Sequence, residues 1–222
     1  MKADCYLKAL SYFYDIPIEK KHSEYSGTLE VSLHRGEWKL STFNAIYSFG
    51  KHYTSFRGAF KQLDIQQFPA QNILLLGVGL GSIVRLLKKH PTIKEISAVD
   101  IDPSIIQLAQ KYWPDTDSKF KTSFYAVDAV RWLKAHPAEA KYDLILSDIF
   151  IDDQTPENML THQFLNLLKD RLSTNGLLIY SKLQFTEEQK KANALFDKTF
   201  SGVFPSGFTL HAQYNKMYIH RQ

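Results

Sequence analysis

Residues 72–103 read NILLLGVGLGSIVRLLKKHPTIKEISAVDIDP, and this stretch decides the fold. Residues 73–76 form a short unbroken apolar run, the pattern of a parallel strand buried on both faces. Gly77, Gly79 and Gly81 follow at alternate positions, where a side chain would block a tight turn and hold a ligand off the backbone. A helix is expected from Ser82, with Ile83, Val84, Leu86 and Leu87 inward, ending before Pro91. A second buried run, 96–99, closes on Asp100, about twenty residues past the glycines, the separation at which a strand-end carboxylate meets a ribose diol. A glycine turn alone proves little. Strand, glycine turn, helix, strand and acid within one βαβ-sized stretch point to a nucleoside-bearing cofactor. A dinucleotide fingerprint wants glycine at its first, third and sixth positions, and Ser82 stands at the sixth, so a nicotinamide oxidoreductase ranks last.

Outward from this unit the same rhythm continues. Asp102 and Pro103 mark a helix start, cap then first-turn proline, and Pro114 its end. A strand at 120–127 ends in Asp128, a short helix follows at 129–136, and a strand at 142–147 ends in Asp148. The irregular acidic loop 148–157, DIFIDDQTPE, leads to an amphipathic helix expected at 158–172, stopped by Asn175-Gly176, and then a strand at 177–183. Thr186 with Gln189 is a capping box for a helix through Phe200, and FTLHAQYN with KMYIHRQ should close the sheet as an antiparallel hairpin. Before the first core strand, TLEVSLH and EWKLSTF read as a β-hairpin turning at Arg35-Gly36, and 44–63 as a helical pattern interrupted by Gly50 and Gly58. The expected fold is α/β: a Rossmann-like, doubly wound, mostly parallel sheet with a terminal antiparallel hairpin (67–222), plus a small N-terminal β-hairpin unit (1–66).

The 222 residues are 44% hydrophobic and 23% charged, ordinary for a soluble globular chain. A single cysteine, Cys5, excludes an internal disulfide and any cysteine-rich metal cluster. No apolar run reaches the roughly 18 residues that a membrane helix needs, and MKADCYLKAL has no signal-peptide pattern, so a cytoplasmic protein without membrane contact is expected. The formal charge of +4 is scattered rather than gathered in a stripe, which does not indicate nucleic acid.

In a doubly wound sheet, ligands sit outside the carboxyl ends of the strands. There the glycine turn, Asp100, Asp128 and Asp148 should converge on one crevice, Asp100 holding ribose hydroxyls, Asp128 lying by the base amine and Asp148 facing the reacting end. A single strand-end aspartate is more often a helix cap. Four polar strand ends in succession are harder to assign to capping.

The segments LLLGVGLGS, AVDIDPSIIQLAQKYW, YAVDAVRWL, YDLILSDIF and PENMLTHQFLNLLKDRLSTNGLLIY resemble the class I S-adenosylmethionine-dependent transferases and, within them, the spermidine-synthase-like branch. The resemblance implies a small β unit over the cofactor cleft of a Rossmann-like domain, often in a homodimer. It implies that Gly77, Gly79, Gly81, Asp100 and Asp128, with the neighbouring Ile101 and Ala129, contact S-adenosylmethionine or its decarboxylated form, with no metal. It implies that Asp148 accepts the attacking amine's proton, that Tyr47 is a substrate residue, and that Asp152 stands one place late for the loop's second aspartate. The substrate side departs from the family pattern: Leu80 replaces an acid, Ser48 and Phe49 replace a histidine and a glutamate, and Lys39 stands near an expected glutamine. A polyamine needs carboxylates to offset the desolvation of its charges. The leading expectation is therefore methyl transfer to a small-molecule or protein amine. Aminopropyl transfer from decarboxylated S-adenosylmethionine and a non-catalytic nucleoside-binding module are the alternatives.

Overall fold

The computed structural model describes residues 5–43, 45–113, 120–137 and 139–222. The helix end expected at Pro114 lies outside them. After a short helix α1 (Cys5–Leu10), β1 (Ile16–Ser23), β2 (Gly27–His34), β3 (Glu37–Ser41) and β4 (Ile46–Phe49) form a four-stranded antiparallel sheet in that order. The expected hairpin is its centre. The flanking strands correct the sequence reading: 46–49 is a strand, and the helix begins only at α2 (Thr54–Gln62), after one 3-10 turn at Gly50–His52.

The second sheet is built from β5 (Asn72–Leu76), β6 (Glu95–Asp100), β7 (Lys121–Ala126), β8 (Tyr142–Ser147), β9 (Leu172–Leu183), β10 (Phe208–Ala212) and β11 (Asn215–Arg221). Its order is β10-β11-β9-β8-β5-β6-β7. Strands β5 to β9 pair in parallel, and β11 runs antiparallel to both β9 and β10. The intervening helices are α3 (Ser82–Leu87), α4 (Pro103–Tyr112), α5 (Ala129–Ala135), α6 (His162–Arg171) and α7 (Glu187–Val203).

Strand alternation divides the core in two. Ile73 and Leu75 face a cluster with Phe56, Ile83 and Ile105, which also takes in Leu29, Val31 and Leu40 of the small sheet. Leu74 and Leu76 face the other way, onto Trp132, Phe164 and Phe196. Helices α2 to α4 thus cover one face and α5 to α7 the other, the doubly wound arrangement the apolar runs require.

Several local expectations hold at the level of single bonds. Asp102 caps α4 through Ser104 N–H at 2.8 Å, and Thr186 with Gln189 forms a reciprocal capping box on α7. Two differ. The helix expected from 158 begins at His162, because Thr161 is the residue whose hydroxyl accepts the Phe164 N–H, and Glu157–Leu160 is a 3-10 turn. Asn175-Gly176 does not stop a helix: α6 ends at Arg171, and the left-handed Asn175 (φ 66°) lies inside β9, where pairing jumps from Tyr142–Leu172 to Leu144–Leu177. Turn chemistry is used there for a strand irregularity.

Candidate active site

The carboxyl ends of β5, β6 and β8, the loop 148–157, β4 and the β10–β11 turn enclose a cavity of ≈ 930 Å³. Gly77, Gly79, Asp100, Ile101, Asp128, Ala129, Asp148, Tyr47 and Asp152 all line it, so the cavity gathers every sequence candidate except Gly81. Gly81 sits one step back as the left-handed N-cap of α3 (φ 78°).

The glycines are explained by the chain's own backbone. A Cβ on Gly77 (φ 85°) would lie 2.2 Å from the Asp148 carbonyl oxygen, and one on Gly79 (φ 51°) would lie 2.9 Å from the Tyr47 carbonyl. The bend therefore clears space for the loop after β8 and for β4, and these two segments complete the cavity. The tight turn expected from the glycines is thus also a close approach of the chain's own segments.

Asp100 accepts the Val78 N–H on Oδ2 at 2.9 Å and the Asp102 N–H on Oδ1 at 3.0 Å, which fixes the carboxylate across the glycine bend. Burial nevertheless pushes its pKa up to about 6. Asp128 caps α5 through Arg131 N–H at 2.9 Å, leaving Oδ2 without a partner among the described residues. It is a cap and a cavity residue at once.

Asp148 is the distinctive group. Its Oδ2 accepts the Tyr53 hydroxyl at 2.5 Å, and its Oδ1 is buried with no hydrogen-bond partner. Burial raises its pKa to about 6, against the opposing pull of Tyr53 and Ser181, which favour the ionised form. An unpartnered buried acceptor is costly, and an arriving N–H donor would relieve it. Behind Asp148, Ser55 Oγ donates to Asn215 Oδ1 and Asn215 Nδ2 donates to Ser181 Oγ, both at 2.8 Å, so α2, β11 and β9 share one buried polar network. Tyr53 and Asn215 were not legible in the sequence, since no local pattern joins them to Asp148.

Tyr47 donates its hydroxyl to Ser26 at 3.2 Å and accepts the Asp152 N–H at 2.7 Å. It fastens the loop to the small sheet. Asp152, in a left-handed conformation (φ 52°), accepts the Thr42 hydroxyl at 3.1 Å. His52 lines the cavity with Nε2 buried and unpartnered, while His162 is exposed at the start of α6. Leu80 is 4% exposed in the core and Lys39 pairs with Asp15; neither lines the cavity.

The charge of the lining is one-sided: five aspartates (100, 128, 148, 152 and 153) and no lysine or arginine among the described residues. Such a cleft suits a cation. No group of three or more His, Cys, Asp or Glu side chains among the described residues could hold a metal ion, and none of the described helices is long and apolar enough to cross a membrane.

A family model described as "Spermine/spermidine synthase domain" matches residues 63–219. A "Probable polyamine aminopropyl transferase" of Bifidobacterium longum is 30% identical over 143 residues, 64% of this chain and 31% of that protein. A "Polyamine aminopropyltransferase" of Alkaliphilus metalliredigens is 29% identical over 157 residues, 63% of this chain and 55% of that protein. The chain spans 31% to 55% of the length of such curated relatives. A crystal structure of spermidine synthase from Thermotoga maritima superposes with a TM-score of 0.71 at 15% identity, over 93% of this chain and 72% of that one, a likeness of fold.

Proposed function

Because the chain belongs to the spermine/spermidine synthase domain family, we propose that it transfers an aminopropyl group from decarboxylated S-adenosylmethionine to an amine. This reverses the order expected from sequence, in which methyl transfer led. The names of the relatives support aminopropyl transfer. The observation that carries the choice is the lining of five aspartates without lysine or arginine. Both donors bring a sulfonium and an ammonium that this lining attracts; S-adenosylmethionine adds a carboxylate that the aspartates repel and that no lysine or arginine of the lining offsets. The orphaned Asp148 oxygen and the strand-end aspartates are groups such a donor and its acceptor can satisfy.

The bound donor supplies a carbon on a cationic sulfur: the acceptor nitrogen forms the new N–C bond as the C–S bond breaks, and the electron pair stays on sulfur. The chain's residues hold and move the rest. Asp100 and Asp128, which line the cavity at their strand ends, meet the donor's nucleoside end in this reading. Asp148, with a pKa of about 6, is largely ionised at neutral pH, accepts a hydrogen bond from the attacking nitrogen and then takes its proton. Tyr53 fixes the carboxylate's orientation through Oδ2. Walls from both sheets exclude water and align the reactants.

The test is mass-resolved product analysis with each donor, alongside calorimetry. Aminopropylated product with the decarboxylated donor alone is expected. Asp148→Asn should lower turnover by about 10² to 10⁴ while retaining donor affinity. Methylated product from S-adenosylmethionine would restore the methyltransferase reading, and unchanged turnover in the variant would remove Asp148 from the chemistry.

A further inference from the structure

The acceptor's chemical class can be read from what remains of the cavity once its aspartates are assigned. On the reading above, Asp100, which holds two backbone N–H groups, and Asp128, which caps α5, serve the donor's nucleoside end, and Asp152 receives the Thr42 hydroxyl at the loop's junction with the small sheet. Asp153 is exposed, where an ammonium would stay hydrated and gain little. The donor's own ammonium also claims a carboxylate. Asp148 alone keeps a buried oxygen with nothing bonded to it. One buried acceptor fits one buried acceptor nitrogen.

The mouth mixes uncharged polar side chains, Thr186, Gln189 and Gln213, with three large apolar ones turned outward. Ile46 is 55% exposed, Phe185 69% and Tyr214 53%, and all three line the cavity. Phe185 and Tyr214 stand edge to face, centroids 5.3 Å apart at 90°, one from the segment after β9 and the other from the β10–β11 turn. Phe49 and Phe150 continue the wall inward. Large exposed apolar side chains gathered at a cavity rim mark a ligand groove more than chance exposure. A second ammonium carried to this exposed rim would stay hydrated and gain little, whereas an apolar tail gains by covering the exposed rings.

We infer that, on the aminopropyl-transfer reading above, the acceptor is a primary monoamine whose apolar or aromatic tail lies against Ile46, Phe185 and Tyr214 while its nitrogen meets Asp148. The reaction then balances as one N–C bond made and one C–S bond broken, the proton passing to Asp148 and the tail leaving as part of a secondary amine. An ammonium held over the Phe185 or Tyr214 ring is the competing arrangement, and the diamine arm below detects it.

The experiment titrates the full chain, with 5′-methylthioadenosine bound, with 2-phenylethylamine, hexylamine, putrescine and spermidine by calorimetry, and separately reads product masses with the decarboxylated donor. The two tailed monoamines are expected to bind about tenfold or more tighter than either polyamine. Phe185→Ala and Tyr214→Ala should each weaken phenylethylamine several-fold, roughly the worth of a partly buried ring, and putrescine less. Tighter binding of putrescine or spermidine, or equal binding of all four, overturns the inference and leaves aminopropyl transfer standing. Tail-dependent binding with no aminopropyl adduct from any amine overturns the transfer reading, and with it the acceptor role.

Discussion

Burial holds the Asp148 carboxyl at about 6 rather than the ordinary 3.8, so the folded chain keeps this proton to higher pH than the unfolded chain does. The contribution to stability is complete below about pH 4 and is lost as pH rises through about 6. Asp148→Asn removes that loss: the variant should match the wild type near pH 4 and exceed it by roughly 1–3 kcal/mol above about pH 7. Thermal denaturation of both proteins across that range checks this, and a constant offset at all pH values would refute it. On the proposed mechanism the same titration governs activity, since a protonated Asp148 cannot accept the nitrogen's proton. Tyr53 donates to the ionised form, so Tyr53→Phe should move the acid limb of the kcat/KM profile to higher pH by up to about one unit. An unmoved limb would mean that another group sets it.

Among the elements, the bend after β5 leaves least room for change. An alanine at Gly77 needs both a positive φ of 85° and space that the Asp148 carbonyl occupies. Gly77→Ala should cost about 1–3 kcal/mol from backbone strain alone, measured by chemical denaturation, and should reduce turnover further by displacing the end of β8; an unchanged midpoint would contradict the packing described. The glycines, strand-end aspartates and caps were legible in the sequence because each is a local decision of a few residues. Strand β1 was not: IPIEKKHS carries a proline and adjacent lysines, both tolerated on a sheet edge, and only pairing with β2 makes it a strand. Strand β4 was missed because IYSF alone is too short to outweigh the helical spacing that follows. Tyr53 meets Asp148 across 95 residues, and Ser55 meets Asn215 across 160, distances over which periodicity carries no information.

At the level of the whole molecule, the two sheets share one apolar cluster, in which Leu29, Val31 and Leu40 pack with Ile73, Ile83 and Ile105. Ser23 Oγ adds a hydrogen bond to the buried cap residue Asp102, joining the end of β1 to α4. A single cooperative unfolding transition is therefore expected. Asp102→Ala removes the cap and the tie together and should lower stability by about 2–4 kcal/mol, with limited proteolysis cutting first between 16 and 53; two resolved transitions in the wild type would show the sheets to be independent. The cavity walls come from distant parts of the sequence, Tyr25 before β2 and Tyr214 after β10. A nascent polypeptide still lacking the β10–β11 turn thus leaves one side of the hollow open and lacks Asn215, the link of the polar network behind Asp148, until that turn has emerged from the ribosome.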